Sequence, residues 1–223
     1  MAKRPTKALN TPKGELNWVF ITGEGKEDLN GNPRYSAAIY FEENSADLKK
    51  FQAEIMSYWE EHKPKTAKKP KSIGIYLELK EKDSDKTTVS SVTQPFDTDE
   101  YVKTGRVCVQ AWTGVTNHDG SPKRIKTYNA KGSEVSLGSK SIGNGSIGRL
   151  GLTAGIYENG ANVGVTLYLN GIQLTKFVEY TAGSSFEADD DEDGFTGLEG
   201  DFDSLSQEED EISAPAATKK VRL

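Results

Sequence analysis

Apolar and polar positions alternate along most of this chain, and one segment breaks the alternation with a helical period. Leu16 to Thr22 reads as a strand carrying Trp18 and Phe20. Arg34 to Phe41 reads as a second strand, with Ala37, Ile39 and Phe41 inward and Arg34, Ser36 and Tyr40 on the opposite face. Between them, Gly25, Asn30-Gly31 and Pro33 mark a loop. From Ala46 to His62 the period changes. Leu48, Phe51, Ile55 and Tyr58-Trp59 recur at helical spacing behind a cap at Asn44 or Ser45. Lys63 to Lys71, bounded by Pro64 and Pro70, is a basic linker that can be neither helix nor central strand.

Alternation then resumes. Ile73, Ile75, Leu77 and Leu79 share one phase, and Val107, Val109 and Ala111 oppose Arg106, Gln110 and Trp112. A turn at Asn117 to Gly120 precedes Lys123–Tyr128, whose outward set is Arg124, Lys126 and Tyr128. Leu150, Leu152, Ala154 and Ile156 oppose Arg149, Thr153 and Tyr157. A turn at Glu158 to Asn162 leads to Val163, Val165, Leu167 and Leu169, with Thr166 and Tyr168 opposite. Asn170-Gly171 then leads into Ile172–Val178. Many short strands with one helix predict a small barrel or sandwich. No internal repeat is present.

Composition changes this picture at the C-terminal end. From Glu187 to Glu211 there are 13 acidic residues and no Lys or Arg, which leaves 21 acidic and 25 basic residues in positions 1–186. The formal net charge of −6 therefore hides a body of about +4. A basic body suits a polyanion, and an acidic segment can imitate one. Phe186, Phe195, Leu198, Phe202, Leu205 and Ile212 punctuate the acids, as in a docking peptide; simple solubilisation needs no aromatics. The reading divides the chain into a flexible basic stretch over 1–14, a folded domain over 15–182 and a disordered acidic tail over 183–223.

The outward strand faces mix rings with cations: Arg34 with Tyr40, Tyr76 with Lys80, Arg106 with Trp112, Arg124 and Lys126 with Tyr128, Arg149 with Tyr157. Bases stack on flat rings and cations follow phosphates, so this mixture suits a single-strand binder. Exposed strand faces favour the same residue types for packing reasons alone, and that alternative stands beside it. The Lys63–Lys71 segment suits phosphate contact or plain solvation equally.

Other patterns lead away from chemistry. Gly143 to Gly148 spells GxGxxG, but an alternating segment follows it in place of a helix, and no Asp or Glu lies near Tyr168; a flexible loop beside a DNA groove fits better. Asp189 to Gly194 opens like a calcium loop, but the twelfth position is Gly200. His62, His118 and the single Cys108 supply too few ligands for a zinc site, and neither a serine elbow nor a phosphate loop is present. No enzymatic activity, cofactor or metal is expected. One cysteine suits a reducing cytoplasm, and no membrane partner or signal peptide is expected.

Asn30-Gly31-Asn32-Pro33-Arg34-Tyr35, followed by a strand and the helix near residue 46, resembles the phage-encoded single-stranded DNA-binding proteins of the T-odd coliphage type. So do Gly138-Ser139-Lys140, Gly148-Arg149-Leu150 and the run Gly164 to Leu169. The resemblance covers roughly 30–60 and 105–180. It implies an OB-fold, a five-stranded Greek-key barrel with additional strands allowed and a helix after the second strand. It implies single-stranded DNA in a groove, and an acidic tail that docks replication proteins of phage or host and competes with DNA. That family's tail often ends in an aromatic residue; this chain ends in Lys219-Lys220-Val221-Arg222-Leu223, so the anchoring element is internal.

The residues expected to stack on bases are Tyr40, Trp112, Tyr128 and Tyr157. Those expected at phosphates are Arg34, Arg106, Arg124, Lys126 and Arg149, and those expected to dock partners are Phe195, Asp201, Phe202 and Asp203. Weak duplex binding and a dimer are compatible with this reading. So is action in replication, recombination or repair in the infected host's cytoplasm. Two alternatives compete: a strand-annealing recombination mediator, and a virion-associated β-sandwich with a solubilising tail.

Overall fold

The computed structural model describes residues 5–28, 30–95 and 99–181. The expected tail, with Phe195, Asp201, Phe202 and Asp203, lies outside the described residues. In chain order the elements are β1 (Thr6–Asn10), β2 (Gly14–Phe20), β3 (Lys26–Glu27), β4 (Pro33–Glu42), α1 (Ala46–His62), β5 (Ile75–Glu81), β6 (Thr87–Ser91), β7 (Tyr101–Gly114), β8 (Lys126–Tyr128), β9 (Glu134–Val135), β10 (Ser146–Asn159) and β11 (Asn162–Lys176).

Five of these strands close on themselves. β4 pairs antiparallel with β2 and β7, and β10 pairs antiparallel with β2 and β11. The ring closes where β11 runs parallel to β7, with Tyr168 beside Trp112. Numbered within the barrel, the order is 1-2-3-5-4, and α1 follows the second strand. This is the OB-type barrel that the resemblance implies. The hairpin β5–β6 extends the sheet from β7, and β8–β9 extends it from β11.

The core follows the alternation read in the sequence. Ala37, Ile39 and Phe41 of β4, Leu150, Leu152 and Ala154 of β10, and Val165, Leu167 and Leu169 of β11 are all buried. The helix begins where expected. The Leu48 N–H donates to Ser45 Oγ at 3.3 Å, capping the first turn. It ends at Lys63, which is extended, as the residue before Pro64 must be. Its apolar stripe, Leu48, Phe51, Ile55, Tyr58 and Trp59, joins the same buried cluster as the strands. Among the described residues no helix is long and apolar enough to cross a membrane.

Two expectations need correction. Residues 1–14 are not flexible throughout, because Thr6–Asn10 pairs with Gly151–Gly155. β2 reaches only Ser146–Gly148 of β10, so the rest of that edge would be left with unpaired backbone groups, and β1 supplies them. Nor do the runs on either side of Asn170-Gly171 form separate strands. β11 runs through it as one strand with a register shift against β10 between Gly151 and Leu152, a bulge in place of a break.

Candidate nucleic-acid interface

Side chains on the outer face of the barrel are placed by pairing register, and register couples them differently from sequence order. Same-face residues along a strand lie about 6.6 Å apart, whereas adjacent strands lie about 4.8 Å apart. Neighbours therefore come from the next strand. The β4–β7 register sets Ser36 opposite Trp112, Tyr40 opposite Cys108 and Glu42 opposite Arg106. Arg34 consequently lies over the Trp112 ring, 4.1 Å from its centroid, and Arg106 lies over Tyr40 at 4.7 Å. The cation–ring pairs expected along each strand are exchanged between strands.

Trp112 lines a cleft of about 370 Å³. Its ring meets Tyr168 edge-on, centroids 5.5 Å apart. Tyr157, Tyr76 and Gln110 line the remainder. Two glycines let the tyrosines lie on the sheet. A Cβ at Gly164 would sit 2.7 Å from the Tyr157 ring, and one at Gly155 would sit 3.2 Å from the Tyr168 ring. The β10–β11 register puts Tyr157 opposite Gly164, so each ring rests where the neighbouring strand has no side chain. Burial, and then the neighbouring Tyr76 phenol, push the Tyr157 hydroxyl up from its ordinary pKa. The Tyr76 hydroxyl accepts a 3.2 Å hydrogen bond from Ser72 Oγ. Four aromatic side chains from four strands thus converge beside Arg34.

The cations around this face are pre-positioned. Arg34 pairs with Asp28 in the β3–β4 loop. Asp28 also accepts from the backbone N–H groups of Asn30 and Asn32, at 2.8 and 2.9 Å. The backbone bond from Asn32 is the largest cause holding this carboxyl below its ordinary value. A depressed aspartate pKa means the ionised loop is favoured above the unfolded value of about 3.9 and weakens as pH falls through the folded one, so the pair persists across neutral pH. Asp28→Asn keeps an acceptor for the loop and frees the guanidinium. It is expected to raise affinity for anionic strands by roughly 2- to 5-fold at low salt, the scale of one partly exposed ion pair, and titration of the variant checks this. Arg106 bonds Glu15 at 3.2 Å, and burial pushes the Tyr40 hydroxyl beneath it up to about 12.

Of the residues expected to bind, Trp112 and Tyr157 come together in the cleft, and Arg34 joins them through its contact with the Trp112 ring. Tyr40 and Arg106 sit farther along the β4–β7 face, where Arg106 already covers one side of the ring. Arg124 and Lys126 lie elsewhere, both paired with Glu134 at 3.7 and 3.1 Å. Tyr128 and Arg149 face a separate concavity. Tyr76 and Tyr168 were missed as site residues, although the alternation that set Tyr168 opposite Leu167 and Leu169 held the signal. Phe20 was missed too. It lies opposite Ser36, in the row that continues to Trp112 and Tyr168, and Lys26 Nζ sits 5.3 Å from its ring centroid.

The expected loop at Gly143 to Gly148 lies away from the cleft and is tied down. Gly145 N–H donates to the Leu16 carbonyl at 3.1 Å, and Ser146 Oγ donates to the Gly143 carbonyl at 2.8 Å. The basic linker ends at the cleft. Lys71 N–H donates to the Val163 carbonyl at 2.7 Å, immediately before Ser72 on the cleft wall.

No family model and no curated protein sequence matches this chain. Among solved structures it is similar to gp2.5, a single-stranded DNA-binding protein encoded by bacteriophage T7. That similarity has 14% identity and a TM-score of 0.51 over 87% of this chain and 100% of that one. It is also similar to the single-stranded DNA-binding protein from bacteriophage Enc34 in complex with ssDNA. There the identity is 16% and the TM-score 0.50, over 77% of this chain and 88% of that one. At these identities the likeness establishes the shared barrel fold.

Proposed function

We propose that this chain binds single-stranded DNA without sequence preference, laying bases on Trp112, Tyr168, Tyr157 and Tyr76 while Arg34 and neighbouring cations take the phosphates. The observation that carries this reading is the convergence of four rings from four strands in one open cleft beside Arg34. Every base has a π-face, so a stacking platform tolerates any sequence. A duplex presents no free base faces to such a cleft, which favours the single strand. The shared fold with two phage proteins named as single-stranded DNA binders supports the same reading. The role is protection of exposed strands during phage replication, recombination or repair in the host cytoplasm, with no chemical step.

Quenching of tryptophan fluorescence by oligothymidylate tests it. Four to six neutralised phosphates give a log–log salt slope of roughly −3 to −4, at about −0.7 per phosphate. Absence of both quenching and a gel shift at low salt would rule the reading out. The acidic segment, with Phe195, Asp201, Phe202 and Asp203, docks replication partners and competes for the same cations. Removal of residues 187–223 is therefore expected to tighten binding, most at low salt where screening is weakest. Equal affinities for the truncated and full chains would exclude competition.

A further inference from the structure

We infer that the barrel carries a second single-stranded DNA contact, on the outer face of β10 and β11 near β1 and β8, separate from the Trp112 cleft. The inference rests on the single-strand reading and lengthens the path of the bound strand. Two adjoining concavities, about 890 and 690 Å³, share Asn10, Lys13, Glu54 and Arg149. Part of the floor of the larger one carries no side chains, because Gly151 and Gly171 face each other across the β10–β11 pairing. One wall is the Tyr128 ring. It is held by the parallel pairing of β8 with β11, and a Cβ at Gly171 would lie 3.2 Å from its edge. A flat ring beside a bare floor has the shape that receives a splayed-out base.

The rim supplies the charge. Glu54 is paired with Lys7 at 3.2 Å and Asp47 with Lys50 at 3.6 Å. Lys13 and Arg149 are exposed and have no ion pair among the described residues. Four cations thus stand against two carboxylates, and the two unpaired ones flank the glycine floor. Between this basin and the Trp112 cleft, the outer face carries Thr153 and Asn170, joined by a 2.7 Å hydrogen bond, and no carboxylate. Arg149 and Tyr157 lie eight residues apart on β10, on the same outer face. At about 3.3 Å per residue that is roughly 26 Å, a span compatible with the roughly 4–16 nucleotides that one OB barrel engages. A long strand reaches both sites, whereas a short one occupies only the cleft.

The experiment compares oligothymidylates of about 5 and about 20 nucleotides on the full chain. The variants are Lys13→Ala/Arg149→Ala, Tyr128→Ala, and Gly151→Leu, which fills the floor without altering charge. Each is expected to bind the short oligomer within about 2-fold of the parent and the long one roughly 10-fold more weakly. The double variant should also lower the magnitude of the salt slope for the long oligomer by about 1.4, two phosphates' worth. Circular dichroism melts confirm that each variant is folded, and the three act by different means, so failure of one to fold leaves the others decisive. Long-oligomer affinity and slope unchanged in folded variants, with Trp112→Ala still impaired, would overturn the second contact and leave the first intact. If the parent protein binds neither oligomer, both readings fall together.

Discussion

Trp112→Ala is expected to weaken oligothymidylate binding by roughly 5- to 150-fold, the equivalent of 1–3 kcal/mol for one lost base stack. The loss should sit near the upper end because the ring does more than stack. It supports Tyr168 at 5.5 Å and seats the Arg34 guanidinium at 4.1 Å, so its removal loosens three contacts at once. Tyr40→Ala should cost less, since Arg106 already occupies one face of that ring. Trp112→Phe should recover most of the affinity, and the salt slope of Trp112→Ala should change by at most about 0.7, the one phosphate contact of Arg34. Equilibrium titration of these variants, followed through an end-labelled oligomer, orders the residues. A Trp112→Ala protein that binds as tightly as the parent would remove the cleft from the mechanism.

A larger effect on stability is expected from Trp59→Ala, about 3–5 kcal/mol by the usual cost of emptying a buried aromatic site. Trp59 is fully buried on the inner face of α1, among Ile55, Tyr58 and the barrel strands. Set against a typical total of roughly 5–15 kcal/mol, the loss would leave a marginal domain. Its Nε1–H meets no acceptor among the described residues, so Trp59→Phe removes volume and no hydrogen bond. That variant should cost less than half as much. Urea denaturation at constant m separates the two. A small shift in midpoint for Trp59→Ala would mean that the helix is peripheral to the fold.

The helix shows how far local pattern reaches. Its residues Ala46–His62, its Ser45 cap and its five buried side chains were all legible, because a helix is specified by neighbours in sequence. The inward and outward phases of β4, β7, β10 and β11 were legible for the same reason. The row across β2 was not. Unbroken alternation would put Leu16, Trp18 and Phe20 on one face. Asn17 pairs with Ala38 and Phe20 with Ser36, so one extra residue is accommodated on β2. Trp18 takes up the bulge at φ 54, its N–H donating to Asn144 Oδ1 at 2.9 Å. Phe20 is thereby turned outward, toward the row with Trp112. A partner 126 residues away stabilises that bulge, and no local signal encodes it.

What the residues by themselves determined was which face of β4, β7, β10 and β11 is wet, where the helix lies and how charge divides between body and tail. These follow from short-range periodicity and counting. Which wet residues stand together was decided only when the strands closed into a ring. Closure set Trp112 beside Tyr168, placed Arg34 on Trp112 instead of near Tyr40, and sent Tyr128 and Arg149 to a different basin. Register between distant strands is a property of the folded sheet, since a side chain's nearest neighbour there is about 4.8 Å away across a hydrogen-bonded pair and belongs to another part of the chain.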